Sequence, residues 1–228
     1  MTRTLVVSEV FGPTLQGEGP SAGQQAGFLR LGRCSLNCCW CDTGYTWNWE
    51  RYDPALELHE LAIDDVAERL LAMDVPMAVI TGGEPLLQQG ALVELLRRLP
   101  DMRVEVETNG IHVPDSELVE RIDQFNVSPK LANSGIERDR RYKPDVLRAF
   151  AVTGKAVFKF VVCELSDLQE IDSIVVECGL SNVWVMPEGT DAPAVVARMQ
   201  RLAEPVLARQ WNLTPRLHIL LWGDKRGV

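Results

Sequence analysis

The chain has 228 residues, with 23 Lys and Arg against 32 Asp and Glu and a formal net charge of -9, a length that fills one sizeable core without requiring a second. No dense Lys/Arg stripe runs along it to track a phosphate backbone, which disfavours direct nucleic-acid binding. No apolar run approaches the ~18 residues of a membrane span, and no basic stretch with a long apolar follow-up opens the chain. The expectation is a soluble, cytoplasmic, single-domain protein over residues 1–228.

In chain order, short apolar and β-branched runs alternate with stretches of helical periodicity. TLVVSEVF (4–11) and AGFLRLG (26–32) come first, then a helix over Ile63 to Met73. MAVIT (77–81), a helix over Leu86 to Leu99, RVEVET (103–108), a helix over Ser116 to Ile122 and QFNVS (124–128) follow. AVFKFVV (156–162), a helix over Leu168 to Cys178, NVWVM (182–186), a helix over Ala192 to Arg209 and a last strand in RLHILL (216–221) complete the series. Alternation of this kind implies an α/β fold with a largely parallel sheet, because parallel strands need crossover connections. Strands are few and crossovers short for a closed eight-fold barrel, so an incomplete, TIM-like β/α barrel fits better. In such a sheet ligands gather at the C-terminal strand ends. There lie residues 30–41, TGGEP (81–85), ETNG (107–110), SPK (128–130) and MPEG (186–189), five loops aimed at one cavity. The basic residues Arg138, Arg140, Arg141 and Lys143, beside Glu137 and Asp139, read as a solvated loop.

Four of the six cysteines fall between Cys34 and Cys41. Cys34, Cys38 and Cys41 have CxxxCxxC spacing, short enough for one loop to wrap three thiolates around one centre, and soft thiolates select zinc or iron-sulfur centres. A structural zinc site usually takes four protein ligands, and no second pair is evident; His59, His112 and His218 are scattered singly. Three ligands would leave one iron of a 4Fe-4S cubane open. Cys39 adjoins Cys38 and either substitutes as a ligand or packs; a zinc knuckle or a redox thiol group is the other reading of the cluster. Cys163 and Cys178 read as buried filler.

CxxxCxxC followed by TGGEP, ETNG and SPK resembles the radical S-adenosylmethionine (SAM) superfamily. More narrowly, EVFGPTLQGEGPSAG before the cysteines, CDT at their end and the tail LHILLWGDKRGV resemble the 7-carboxy-7-deazaguanine synthase family, over essentially the whole chain. The resemblance implies conversion of 6-carboxy-5,6,7,8-tetrahydropterin to 7-carboxy-7-deazaguanine with loss of ammonia, on the way to queuosine and other 7-deazapurines. It implies a 4Fe-4S cluster on Cys34, Cys38 and Cys41, SAM as a regenerated radical source, and Mg2+. It also implies a homodimer and a reductase or flavodoxin-type electron donor. A radical SAM activase that installs a glycyl radical and a zinc-stabilised binding module are the alternatives.

By the same resemblance Gly82, Gly83 and Glu84, with Pro85, form the loop for the SAM amino group; as residues alone they equally suit a strand-to-helix turn. Ser128, Pro129 and Lys130 with Met186, Pro187, Glu188 and Gly189 look like the adenosine and ribose side, joined by Glu107 and Asn109. Leu15, Gln16, Gly17, Arg30 and Thr81 match pterin-holding positions. Arg30 is the candidate for the substrate carboxylate, since its planar fork donates two parallel hydrogen bonds; the plain alternative is a strand-edge ion pair. Thr43 matches a magnesium ligand, although Asp42 would be the choice from residue chemistry. The tail from Leu217 to Val228 would fold over the substrate, with Val228 touching it and Trp222 packing at the rim or in a subunit contact.

Overall fold

The structure is a computed structural model describing residues 3–228. Its first strands are β1 (Thr4–Leu15) and β2 (Gln25–Leu31). After these come α1 (Pro54–Glu57), β3 (His59–Ala62), α2 (Ile63–Leu71), β4 (Met77–Gly82), α3 (Gln89–Leu96), β5 (Arg103–Thr108), α4 (Ser116–Arg121) and β6 (Gln124–Val127). Next are α5 (Arg138–Arg141), α6 (Pro144–Val152), β7 (Ala156–Val162), α7 (Asp167–Cys178), β8 (Val183–Pro187), α8 (Ala192–Leu207), β9 (Asn212–Leu213) and α9 (Leu217–Trp222). The strands form one sheet in the order β3-β1-β2-β4-β5-β6-β7-β8-β9. From β2 to β9 every pairing is parallel, whereas β1 runs antiparallel to both β2 and β3. The sheet does not close on itself: it is a partial barrel with helices outside.

Period-two alternation sorts the side chains of each strand. Phe158, Phe160 and Val162 of β7, Val104 and Val106 of β5, Phe125 and Val127 of β6, and Leu29 and Leu31 of β2 enter the main core under the helices. The intervening Lys159, Val161, Glu107, Arg30 and Thr81 face the concave side. Deeper on that side, Ala26, Phe28, Met77 and Val79 pack with Phe11 as an apolar floor. The helices cover the convex face with one apolar stripe each; α2 buries Ile63, Val66, Ala67 and Leu70 at helical spacing. Asp191 caps α8, accepting from the Ala194 amide at 2.9 Å, and Gly179 ends α7 in the left-handed region.

Three expectations need correction. RLHILL is not a strand: Leu217–Trp222 is helical, with Leu220 N donating to Arg216 O (3.1 Å) and Gly223 N to Ile219 O (3.0 Å). Only Ile219 of the helix Leu217–Trp222 is buried, so the helix tucks one side chain inward where a strand would expose one of two apolar faces. The basic run is not a solvated loop throughout. It forms α5, and Arg141 is buried, donating from Nε to Ile136 O and from Nη1 to Lys130 O (both 2.9 Å) and to Glu170 Oε1 (2.7 Å). These bonds occupy three of its five N–H donors, and the one to Lys130 O ties down the SPK loop. Of the two filler cysteines, Cys178 is buried against the Tyr142 hydroxyl (3.2 Å) but Cys163 is only half-buried.

Candidate active site

The C-terminal ends of β2, β4, β5, β6, β7 and β8 surround a cavity of about 220 Å³, far above the ~10–15 Å³ that admits one water. Cys34, Cys38 and Cys41 all line it. The Cys41 sulfur accepts from Trp47 Nε1 at 3.2 Å and the Cys34 sulfur from the Leu36 amide at 3.5 Å. Burial pushes the Cys34 thiol up to about 12 and raises Cys38 as well, so these thiols ionise readily only against a metal. Cys39 points the other way, exposed, with its thiol donating to Asn133 O at 3.3 Å. Among the described residues, no three His, Cys, Asp or Glu side chains are gathered as they would be around a single metal ion.

The Gly82–Gly83 turn lies against the cysteine loop. A Cβ on Gly83 would stand 2.0 Å from Arg33 O, and Gly82 adopts φ +136°, so only glycine fits there. Gly83 N donates to Leu31 O (3.0 Å) and Glu84 N to Arg33 O (2.8 Å). Glu84 is fully buried outside the cavity wall; its carboxylate accepts from Leu86 N (3.0 Å), Thr108 Oγ1 and Asn109 N (both 2.8 Å). The structure therefore uses Glu84 to tie the ends of β4 and β5 together.

Leu15, Gln16, Gly17, Arg30, Thr43, Thr81, Glu107, Asn109, Ser128, Lys130, Met186, Glu188 and Val228 all reach the wall, together with Gly82 and Gly83. Pro129, Pro187 and Gly189 sit behind it, with Gly189 O accepting from Arg216 Nη1 at 2.6 Å. Ser128 Oγ accepts from Lys130 Nζ (2.8 Å), whose charge lies 5.5 Å from the Trp40 ring centre. Arg30 donates from Nε to Glu9 Oε2 at 3.0 Å, over the Phe11 ring.

A family model described as the radical SAM superfamily matches residues 29–154. The 7-carboxy-7-deazaguanine synthase of Pyrobaculum aerophilum is 36% identical across 97% of this chain and 96% of its own; that of Hyperthermus butylicus is 34% identical across 97% and 94%. The chain belongs to the 7-carboxy-7-deazaguanine synthase family of the radical SAM superfamily. The crystal structure of QueE from Escherichia coli shares its fold, with a TM-score of 0.70 at 24% identity over 94% of this chain and 95% of that one.

The residues present fit the cluster and SAM that membership in this superfamily implies. Three thiols reach one cavity, two with N–H donors at sulfur, as ligands of an iron-sulfur centre commonly have. Asn109 Nδ2 is buried with no hydrogen-bond partner among the described residues, a donor that a bound polar group would satisfy.

Sequence reasoning missed a buried charge network in this family member. Lys159 pairs with Glu18 and lies 3.9 Å from Glu107 Oε1. Glu107 also accepts from Gln16 Nε2 (3.3 Å) and Thr81 Oγ1 (2.8 Å). Arg216 reaches Glu18 (3.4 Å), Asp42 and His218 Nε2 (3.5 Å). Burial alone would raise the Glu18 pKa, but Lys159, Arg216 and His218 outweigh it and hold the carboxyl well below the usual range. Burial would lower Lys159 likewise, and Glu18 and Glu107 raise it instead, so the pair stays ionised. His218 is pushed down, chiefly by burial. The one signal available was Lys159 itself, a charge in an otherwise apolar strand.

Proposed function

We propose that this chain converts 6-carboxy-5,6,7,8-tetrahydropterin into 7-carboxy-7-deazaguanine with loss of ammonia, a step of 7-deazapurine (queuosine) biosynthesis, and that it needs a 4Fe-4S cluster, SAM and Mg2+. One observation carries the reading: three thiols, an unpartnered Asn109 amide and a dense set of polar groups share a single cavity. Held by Cys34, Cys38 and Cys41, the cluster would supply the electron that cleaves SAM.

The chain's own residues bind, orient and exclude water. Gly82 and Gly83 offer backbone at close range for the SAM amino group, and Ser128, Lys130, Met186 and Glu188, with Pro129, Pro187 and Gly189 behind them, form its adenosine side. Arg30 takes the substrate carboxylate: Glu9 occupies its Nε and leaves the terminal nitrogens for a bidentate contact. Gln16 and Thr81 meet the polar ring edge beside Leu15 and Gly17, while Glu107, hydrogen-bonded to both, and Asn109 contribute polar contacts on the SAM side. Thr43 would hold Mg2+ through its hydroxyl oxygen. Lys159 and Arg216 keep Glu18 ionised, so the cavity wall carries fixed charges rather than mobile solvent. The same reading takes residues 1–228 as one radical SAM core with a short C-terminal tail over the site, active as a homodimer and reduced by a flavodoxin-type donor.

The test is an anaerobic incubation of iron-reconstituted protein with SAM, Mg2+, a reductant and 6-carboxytetrahydropterin, analysed by mass spectrometry. The expected product is 7-carboxy-7-deazaguanine; 5'-deoxyadenosine alone would mean another substrate for the same radical chemistry.

A further inference from the structure

Past Trp222, Arg226 is the one residue whose side chain makes hydrogen bonds among the described residues. It donates to Glu9 Oε1 and, at 2.7 Å, to Glu57 Oε2. Its guanidinium carbon lies 3.9 Å from the centre of the buried Tyr45 ring. Two residues further on, Val228 lines the cavity. Glu9 is therefore shared: Oε2 holds Arg30 on the cavity wall and Oε1 holds Arg226 on the tail.

We propose that Arg226 is a positioning residue that clamps the tail across the cavity and, through Glu9, sets the charge that Arg30 presents to an anionic substrate. The charge count supports it. Arg30 and Arg226 balance Glu9 and Glu57; without Arg226 the group carries one surplus negative charge. An incoming carboxylate at Arg30 then meets repulsion from Glu9 in a partly desolvated setting, where charges a few ångströms apart interact strongly. The same loss frees the tail, because the stacking on Tyr45 and both ion pairs go together. A substrate carboxylate on Arg30 in turn weakens the hold of Arg30 on Glu9 and strengthens the Glu9–Arg226 bond, so binding and closure reinforce each other.

This inference rests on the pterin reading, and the experiment separates the two. In reconstituted protein, Arg226→Ala should raise KM for 6-carboxytetrahydropterin about ten-fold with kcat within about two-fold. Amide hydrogen exchange in peptides spanning 217–228 should quicken in the variant, and added pterin should slow it in the parent only. A KM unchanged in Arg226→Ala, or exchange indifferent to the substitution, would overturn the clamp. A parent that forms no 7-carboxy-7-deazaguanine would sink the functional reading instead; the clamp is then judged on exchange in the unliganded tail alone, faster in the variant or not.

Discussion

Cys38 and Cys39 adjoin in the chain, yet Cys38 is buried at the cavity and Cys39 is exposed with its thiol on Asn133 O. Alanine at Cys34, Cys38 or Cys41 should abolish both the cluster's visible absorbance and SAM cleavage, whereas Cys39→Ala should keep both. A colourless Cys39→Ala beside an active Cys38→Ala would reverse the ligand assignment. At this scale the sequence spoke plainly where a residue type suits one chemistry, as thiols at CxxxCxxC do. It was silent where the role depends on partners far along the chain: Lys159 and Arg216 lie 141 and 198 positions from Glu18, and no spacing rule links them. Glu84 shows the converse. Its motif pointed toward a ligand, while its carboxylate is spent on three donors that close the turn.

Among elements, the β4 turn and the cysteine loop form one unit, because Gly83 admits the Arg33 carbonyl where a side chain would stand. Gly83→Ala should force the two apart, cost about 1–3 kcal/mol as overpacking does, and reduce iron retained after reconstitution. Full iron content in a folded Gly83→Ala protein would show the loop indifferent to the turn. The parallel strands β2 and β4 to β8 were legible because most of their residues are buried on both faces; the two-residue β9, exposed and half-buried, was not. β3 was not, being four half-exposed or exposed residues at the sheet edge, and α6 was passed over despite Pro144 at its start and Leu147 and Phe150 on its buried side. α9 was misread because a short apolar run suits either period, and only the structure shows that, among the described residues, the sheet ends at β9.

For the whole molecule, the incomplete barrel followed from chain length and crossover spacing, but the antiparallel β1 edge did not, since register depends on contacts between distant segments. Lys159 of β7 and Glu18, just after β1, join opposite walls of the cavity. Lys159→Met should leave Glu107 without its buried counter-charge and Glu18 with Arg216 alone, and lower stability by about 3–5 kcal/mol, read from urea unfolding monitored by circular dichroism. A loss below about 1 kcal/mol would show that Arg216 suffices for Glu18.

Segments leaving two distant strands of the sheet also meet without pairing as strands. Gly19 N donates to Thr214 Oγ1 at 2.8 Å and Leu217 N to Gly17 O at 2.8 Å, so the segment leaving β1 is stitched to the segment leaving β9. The sheet is thus a cuff buttoned at one rim. Sideways entry between these two segments is barred where the bonds cross, and the cavity wall runs on unbroken from one to the other.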